Sequence, residues 1–234
     1  MRINKFISET GFCSRREADK WVENGKVTIN GVKAVLGSQA EPGDDVRVNG
    51  QPLNSKSAEA VYIALNKPVG ITCTTEQHIR GNIVDYVGHH ERIFPIGRLD
   101  KDSEGLILLT SDGDIVNKIL RAEGKHEKEY IVTVDHPITP SFLKGMESGV
   151  KILGEMTLPC KLTRISERVF RIILTEGKNR QIRRMCSAFG YEVRALQRIR
   201  IMNIHLGSLP VGEWRDLTSK EKTELGDLLA YELQ

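Results

Sequence analysis

No stretch of this 234-residue sequence holds 18 uninterrupted apolar residues, so no segment suits a membrane-spanning helix. The opening MRINKFISETGF lacks an apolar core ahead of a small-residue cleavage site, and the cytoplasm is therefore the expected compartment. Cysteine is sparse. Cys13, Cys73, Cys160 and Cys186 lie far apart, without the close pairs of zinc sites or the density of a disulfide scaffold, and read as reduced packing residues. Zinc, phosphate-loop and dinucleotide signatures are missing, as are internal repeats and low-complexity tracts.

What remains is an ordinary globular composition, 39% hydrophobic and 28% charged, which argues against disorder and fibrous structure. The length suits one sizeable domain plus a small one. The net charge is only +3, yet residues 178–200 hold seven Lys or Arg against Glu192 alone, leaving the rest of the chain at −3. Such a basic stripe is the footprint of a polyanion binder, because phosphate neutralisation supplies nonspecific affinity for nucleic acid. A solvated helix face is the plainer reading of the stripe taken alone.

The first fifty residues form a pattern of their own. Ile3, Phe6 and Ile7 recur at helical spacing, and Ser14 with Glu17 makes a capping box for a second helix carrying Ala18, Trp21 and Val22. Gly25 stops that helix. Val27 and Ile29 alternate into an Asn30-Gly31 hairpin signal, and EPGDDVRVNG adds another turn and short strand. The polar stretch 51–59 lacks periodicity and reads as a linker. Beyond it, from 60 to 234, AVYIAL, RIFPI, GLILLT, EYIVTV and VFRIIL read as strands, and helices are expected near Asp114, Thr139, Asn179 and Thr218. The fold class is thus α+β, a small two-helix domain with short strands followed by a larger, mainly antiparallel sheet with flanking helices.

In the helix expected from Asn179, Ile182, Met185, Cys186 and Phe189 share one face, while Arg180, Arg183 and Arg184 share the other. Guanidinium is the side chain best matched to carboxylate or phosphate.

The stretch GRLDKDSEGL, residues 97–106, offers Asp100 and Asp102. On an extended segment or turn they would project from the same side, roughly 7 Å apart. Neighbours on one strand cannot straddle a sugar, so a glycosidase pair is excluded. Arg98 and Lys101 interrupt a metal reading of Asp100, Asp102 and Glu104. A single reactive aspartate kept ionised by an arginine demands less, since such a neighbour lowers a carboxyl pKa by roughly 1 to 3. The residues alone leave Asp100 and Asp102 level, and Asp102 also suits a turn-stabilising role.

Longer motifs add to this. INKFISETGFCSRREADKWVENGKVTINGVKA resembles the RNA-binding module named after the fourth small-subunit ribosomal protein. NKPVGITCTT (66–75), FPIGRLDKDSEGLILLTSDGD (94–114), HEKEYIVTV (126–134) and EGKNRQIRRMCSAFGYEV (176–193) resemble, in the same order, pseudouridine synthases of the RsuA/RluB/RluE/RluF family. The wording is most similar to its RluF branch, which acts on 23S ribosomal RNA. The resemblance implies Asp100 as catalytic residue, Tyr130 stacked on the target base, and Arg183 as the salt-bridge partner of Asp100. It also implies Arg98 as an RNA contact beside the reactive aspartate, and an isomerisation that needs neither cofactor nor metal, in keeping with the missing signatures. Lys5, Arg15, Arg16, Lys20, Lys67, Lys178, Arg180 and Arg184 complete the expected RNA-binding set. The expected partner is ribosomal RNA, most of all 23S, with transfer RNA as a further candidate, and the expected state is a monomer. A noncatalytic RNA-binding or ribosome-assembly protein, or an enzyme of 16S or transfer RNA, is the alternative. Some relatives carry a long basic C-terminal tail, and any substrate contact it would make is in doubt for this sequence.

Overall fold

In the computed structural model, the described residues are 1–10, 12–53, 59–76, 78–120 and 125–233. The N-terminal unit opens with helices α1 (Ile3–Glu9) and α2 (Arg15–Glu23). Ser14 and Glu17 close both halves of the capping box at 3.2 and 3.4 Å. Strands β1 (Val27–Ile29) and β2 (Val32–Lys33) are joined by Asn30 and Gly31, both at positive φ (49° and 80°), the geometry that a two-residue hairpin requires. Strands β3 (Val46–Val48) and β4 (Gln51–Pro52) complete a sheet of order β2-β1-β3-β4. Ile3, Ile7, Ala18, Val22, Val27 and Val46 form the core beneath the helices. Gln51 and Pro52, expected in the linker, pair with β3, and Leu53 packs on this core. Residues 54–58 of the expected linker lie outside the described residues.

The larger unit runs β5 (Tyr62–Lys67), α3 (Ile83–Val87), β6 (Phe94–Ile96), β7 (Glu104–Thr110), α4 (Gly113–Leu120), β8 (Lys128–Val134) and α5 (Pro140–Glu147). A hairpin of β9 (Lys151–Ile152) and β10 (Glu155–Met156) follows, then β11 (Lys161–Arg164), β12 (Val169–Leu174), α6 (Gln181–Ala188), β13 (Val193–Ile201), β14 (Ile204–His205), β15 (Trp214–Asp216) and α7 (Ser219–Leu229). Among the described residues, the central sheet has the order β11-β12-β8-β13-β7-β5-β15, with β14 on β13 and β6 on β7. The pairing of β13 with β7 is parallel, and the other pairings of this sheet are antiparallel.

Side chains that alternate along a strand face opposite sides, and here both sides are covered. Ile63, Leu65, Ile107, Leu109, Val132 and Ile172 meet Phe142, Met146, Ile182 and Met185 of α5 and α6. Tyr62, Ala64, Leu106 and Leu108 meet Ile115 and Ile119 of α4 and Leu225 of α7. Every residue of β5 is consequently buried, which explains its near-continuous apolar run. Cys13, Cys73 and Cys186 are buried free thiols and Cys160 is half-buried. Burial pushes Cys13 up to about 11, and Cys160 and Cys186 up to about 12, so all three stay protonated and unreactive near neutrality.

The two units meet at Asp114, where Lys5 Nζ lies at 2.6 Å and Arg15 Nη2 at 2.8 Å. Burial raises the Asp114 carboxyl, but the two cations outweigh it and leave it below the usual value. A depressed carboxyl contributes stability above its unfolded pKa of about 3.9 and loses it as pH falls through the folded value. Asp114→Asn should therefore cost about 1 kcal/mol at pH 7, a half-exposed cluster being screened by solvent. The difference in thermal midpoint from wild type should close below about pH 4.

Candidate active site

A cavity of about 710 Å³ opens between the loop after β6, the start of β8 and the loop before α6. Its size falls in the range of small-molecule pockets, roughly 300–1,000 Å³. Asp100, Arg98, Tyr130, Arg180, Arg183 and Arg198 all line it, brought together from widely separated parts of the chain.

The loop that presents Asp100 is fastened at several points. Leu99 is buried and its N–H donates to Cys73 Sγ at 3.4 Å. Ser103 N–H closes a turn on the Asp100 carbonyl at 3.0 Å, and Gly70 N–H donates to the Lys101 carbonyl at 2.7 Å. Of the extended segment or turn expected, Asp100 and Asp102 thus sit on a turn. Beneath them lies Lys67, fully buried, whose Nζ donates to the carbonyls of Ser103 and Pro68, both at 2.8 Å. Burial holds its pKa below the usual lysine range. Lys67 was expected to contact RNA, and burial corrects that: the ammonium is enclosed beneath the turn and anchors it.

Arg180 and Arg183 approach the two aspartates together. Arg180 precedes α6 with a left-handed backbone, φ 49°, a conformation that non-glycine residues rarely adopt. It bonds both oxygens of Asp102 at 3.0 and 3.1 Å and lies 3.6 Å from Asp100 Oδ2. Arg183 donates to the Asp102 carbonyl and to Ser103 Oγ, both at 3.0 Å, and its Nε stands 3.9 Å from Asp100 Oδ2. That Nε is buried without a hydrogen-bond partner. The expected Arg183–Asp100 pair is therefore a long charge contact, and Arg180 is the nearer cation. Its hydrogen bond to Arg180, above all, holds the Asp102 carboxyl below the usual carboxylate range. Asp102 thus fixes Arg180 where a purely turn-stabilising role was expected. Both partners of that pair are largely exposed, so it contributes at most about 1 kcal/mol; its effect is positional.

The single arginine face expected on α6 is not formed. Arg180 lies outside the helix, Arg183 is spent on the aspartate turn, and Arg184 folds back onto Asn179 O and Oδ1 at 3.0 and 3.1 Å. Lys178 pairs with Glu155 of β10 at 2.6 Å. In the small unit, Lys5 and Arg15 are engaged by Asp114, whereas Arg16 and Lys20 are exposed and make no ion pair with a described residue. Arg98 is exposed at the cavity rim.

Tyr130 is buried on β8, directly opposite Arg198 of β13 in the sheet register, with the Arg198 Cζ 6.0 Å from the ring centroid. Arg198 and the half-buried Lys128 were not singled out from the sequence. A period-two count from buried Leu196 along VRALQRIRI puts Arg198 on the inward side, so a signal was present. Among the described residues, no helix is long and apolar enough to cross a membrane, and no cluster of three or more His, Cys, Asp or Glu suits a metal.

Residues 61–188 match the model of the RNA pseudouridylate synthase family, and residues 1–46 match the S4 domain. The chain is 60% identical over 230 residues to the dual-specificity RNA pseudouridine synthase RluF of Escherichia coli K12, covering 98% of this chain and 79% of that one. It is 35% identical over 233 residues to the ribosomal large subunit pseudouridine synthase B of Bacillus subtilis, covering 96% and 95%. A solved pseudouridylate synthase superposes with a TM-score of 0.69 at 30% identity, covering 97% of this chain and 99% of that one.

Proposed function

The chain belongs to the RNA pseudouridylate synthase family, carrying an S4 domain ahead of the catalytic one, and we propose that it converts a specific uridine of 23S ribosomal RNA to pseudouridine. The observation that carries this reading is the convergence on one cavity of Asp100, Tyr130 and Arg183, three residues that stand in the matching motifs. The protein acts as a cytoplasmic monomer, with the exposed Arg16, Lys20 and Arg98 as phosphate contacts. The name of the Bacillus subtilis relative supports a large-subunit target. The dual specificity of the Escherichia coli relative supports more than one RNA target, with transfer RNA the second candidate.

The target base must leave its stack, at a cost of a few kcal/mol. Tyr130 offsets part of that by stacking on the extruded uracil. Asp100 promotes cleavage of the N1–C1′ bond, the uracil turns within the cavity, and C5 joins C1′. Arg180 at 3.6 Å and Arg183 at 3.9 Å from Asp100 Oδ2 place two positive charges beside the reacting carboxylate. The product is an isomer of the substrate, so nothing is consumed.

Carbodiimide mapping of RNA from a deletion strain, with and without the wild-type gene, tests the target. A gene-dependent stop in 23S RNA is expected. A stop confined to 16S or transfer RNA would move the target, and the lack of any stop would return the noncatalytic reading. Asp102→Asn should keep most activity in the same assay: its pair with Arg180 is worth at most about 1 kcal/mol, which corresponds to less than about a tenfold change in rate.

A further inference from the structure

Arg198 is almost fully buried, 4% exposed, yet it has no carboxylate partner among the described residues. Two of its three nitrogens are used. Nε donates to the Leu106 carbonyl at 2.7 Å, and Nη1 reaches the Arg98 carbonyl at 3.5 Å. Nη2 is buried with no acceptor. An uncompensated guanidinium away from water is costly, and a buried donor without a partner calls for an explanation. Here that side chain lines the cavity that also holds Asp100 and Tyr130. The nearby Lys128 does not relieve it. Lys128 adds a second cation to the wall, its pKa lowered first by burial and then by the charge of Arg198.

We propose that Arg198 is a further substrate-contacting residue: the free Nη2 donates to a carbonyl oxygen of the displaced uracil and stabilises the negative charge that the base acquires during the reaction. This rests on the pseudouridine synthase reading given above. The backbone of Arg198 lies one strand from Tyr130, and its side chain reaches under the loop that carries Asp100. The guanidinium is thereby held 6.0 Å from the Tyr130 ring centroid and against the carbonyl of Arg98, two residues before Asp100. Leu174, Leu196 and Ile201 also line the cavity, which suits a flat, weakly polar base better than a phosphate.

The charge argument holds for each way in which Asp100 acts. When N1–C1′ breaks, both electrons stay on the uracil and spread over N1, O2 and O4. The sugar carbon is captured by the carboxylate, or loses a neighbouring proton to it. If the carboxylate instead adds to C6 of the base, the displaced pair moves onto O4. In every case a carbonyl oxygen gains charge before C5 bonds to C1′, the C5 proton leaves, and N1 takes up a proton. Fixed donors aimed at such developing charge are typically the largest electrostatic contribution to a rate.

Single-turnover rates with RNA bearing uridine, 2-thiouridine or 4-thiouridine at the target separate this role from a structural one. Arg198→Met should lower the uridine rate about 100-fold with RNA affinity within a few-fold, and Arg198→Lys should recover part of it. Sulfur is the weaker acceptor, so one of the two thio substrates should slow the wild type and have no further effect on the Met variant, the mark of a shared interaction. A Met variant at wild-type rate would overturn the proposal, as would a thio penalty of equal size in both proteins. If the Met variant fails to fold, the same thio comparison is made with Arg198→Lys, where a full wild-type penalty overturns it. A wild type that forms no pseudouridine defeats the parent reading instead.

Discussion

Asp100→Asn should abolish pseudouridine formation, by at least about 10⁴-fold, the scale on which removal of a single reacting group is felt, while RNA affinity stays within a few-fold. The substitution removes one negative charge and almost no volume. The turn survives, because its closing bond runs from the Ser103 N–H to the backbone carbonyl of residue 100. Lys67 still holds the Ser103 carbonyl, and Arg180 keeps its two bonds to Asp102. Affinity rests largely on phosphate contacts made elsewhere, so filter binding should barely register the change. Release of tritium from RNA labelled at uracil C5 measures the chemistry. An Asn variant with near-wild-type release would move the reactive role away from Asp100, and Asp102 would be the first residue to test in its place.

Gly105→Ala should destabilise the fold by at least about 3 kcal/mol, the scale of a core clash with no room to relax, and reduce activity with it. Gly105 has φ +107°, and a Cβ built there would stand 2.6 Å from the Arg198 nitrogen and 3.0 Å from its carbonyl carbon. Both are backbone atoms, so no rotamer change makes room. Relief comes only from parting β7 and β13, whose parallel pairing is registered at this residue. Gly154→Ala provides the control. Its φ is +84° and nothing lies within 4 Å of a built Cβ, so only left-handed strain of about 1–2 kcal/mol is expected. Urea midpoints for the two variants test the cause: equal losses would show that strain alone, and not the close approach, makes Gly105 necessary.

Local signals in the sequence proved dependable wherever neighbouring residues settle the conformation. The capping box of α2, the start of α7 at Thr218, Pro140 after the Thr139 cap, and the Asn30-Gly31 turn formed as their residues require. α6 starts two residues later than its periodicity suggested, because Arg180 takes a left-handed backbone to reach the aspartates. The single-turn helix α3 escaped notice since five residues show no period. Lys67 misled for a different reason. No local signal marks it as buried, and only the pairing of β5 between β7 and β15 shows the ammonium enclosed. The convergence of Asp100, Tyr130 and Arg183 was legible from motif order. The closer approach of Arg180 depends on long-range geometry, and the period of β13 shows that Arg198 turns inward but not that its Nη2 lacks an acceptor.

The place of β13 in the sheet has a consequence for biosynthesis. It lies between β8 and β7, although it follows both by some sixty residues or more. A chain emerging N-terminus first completes its small domain by Leu53, with every core contact of that unit already made. The catalytic half must wait. Until residues 193–201 are released, β7 and β8 lack their common neighbour, and the nascent chain carries Asp100 and Tyr130 with nothing to set them side by side. Hydrophobic strands left unpaired for that interval are open to aggregation, and the enzyme comes into being in one late step, when a strand from the last fifth of the chain closes the middle of its sheet.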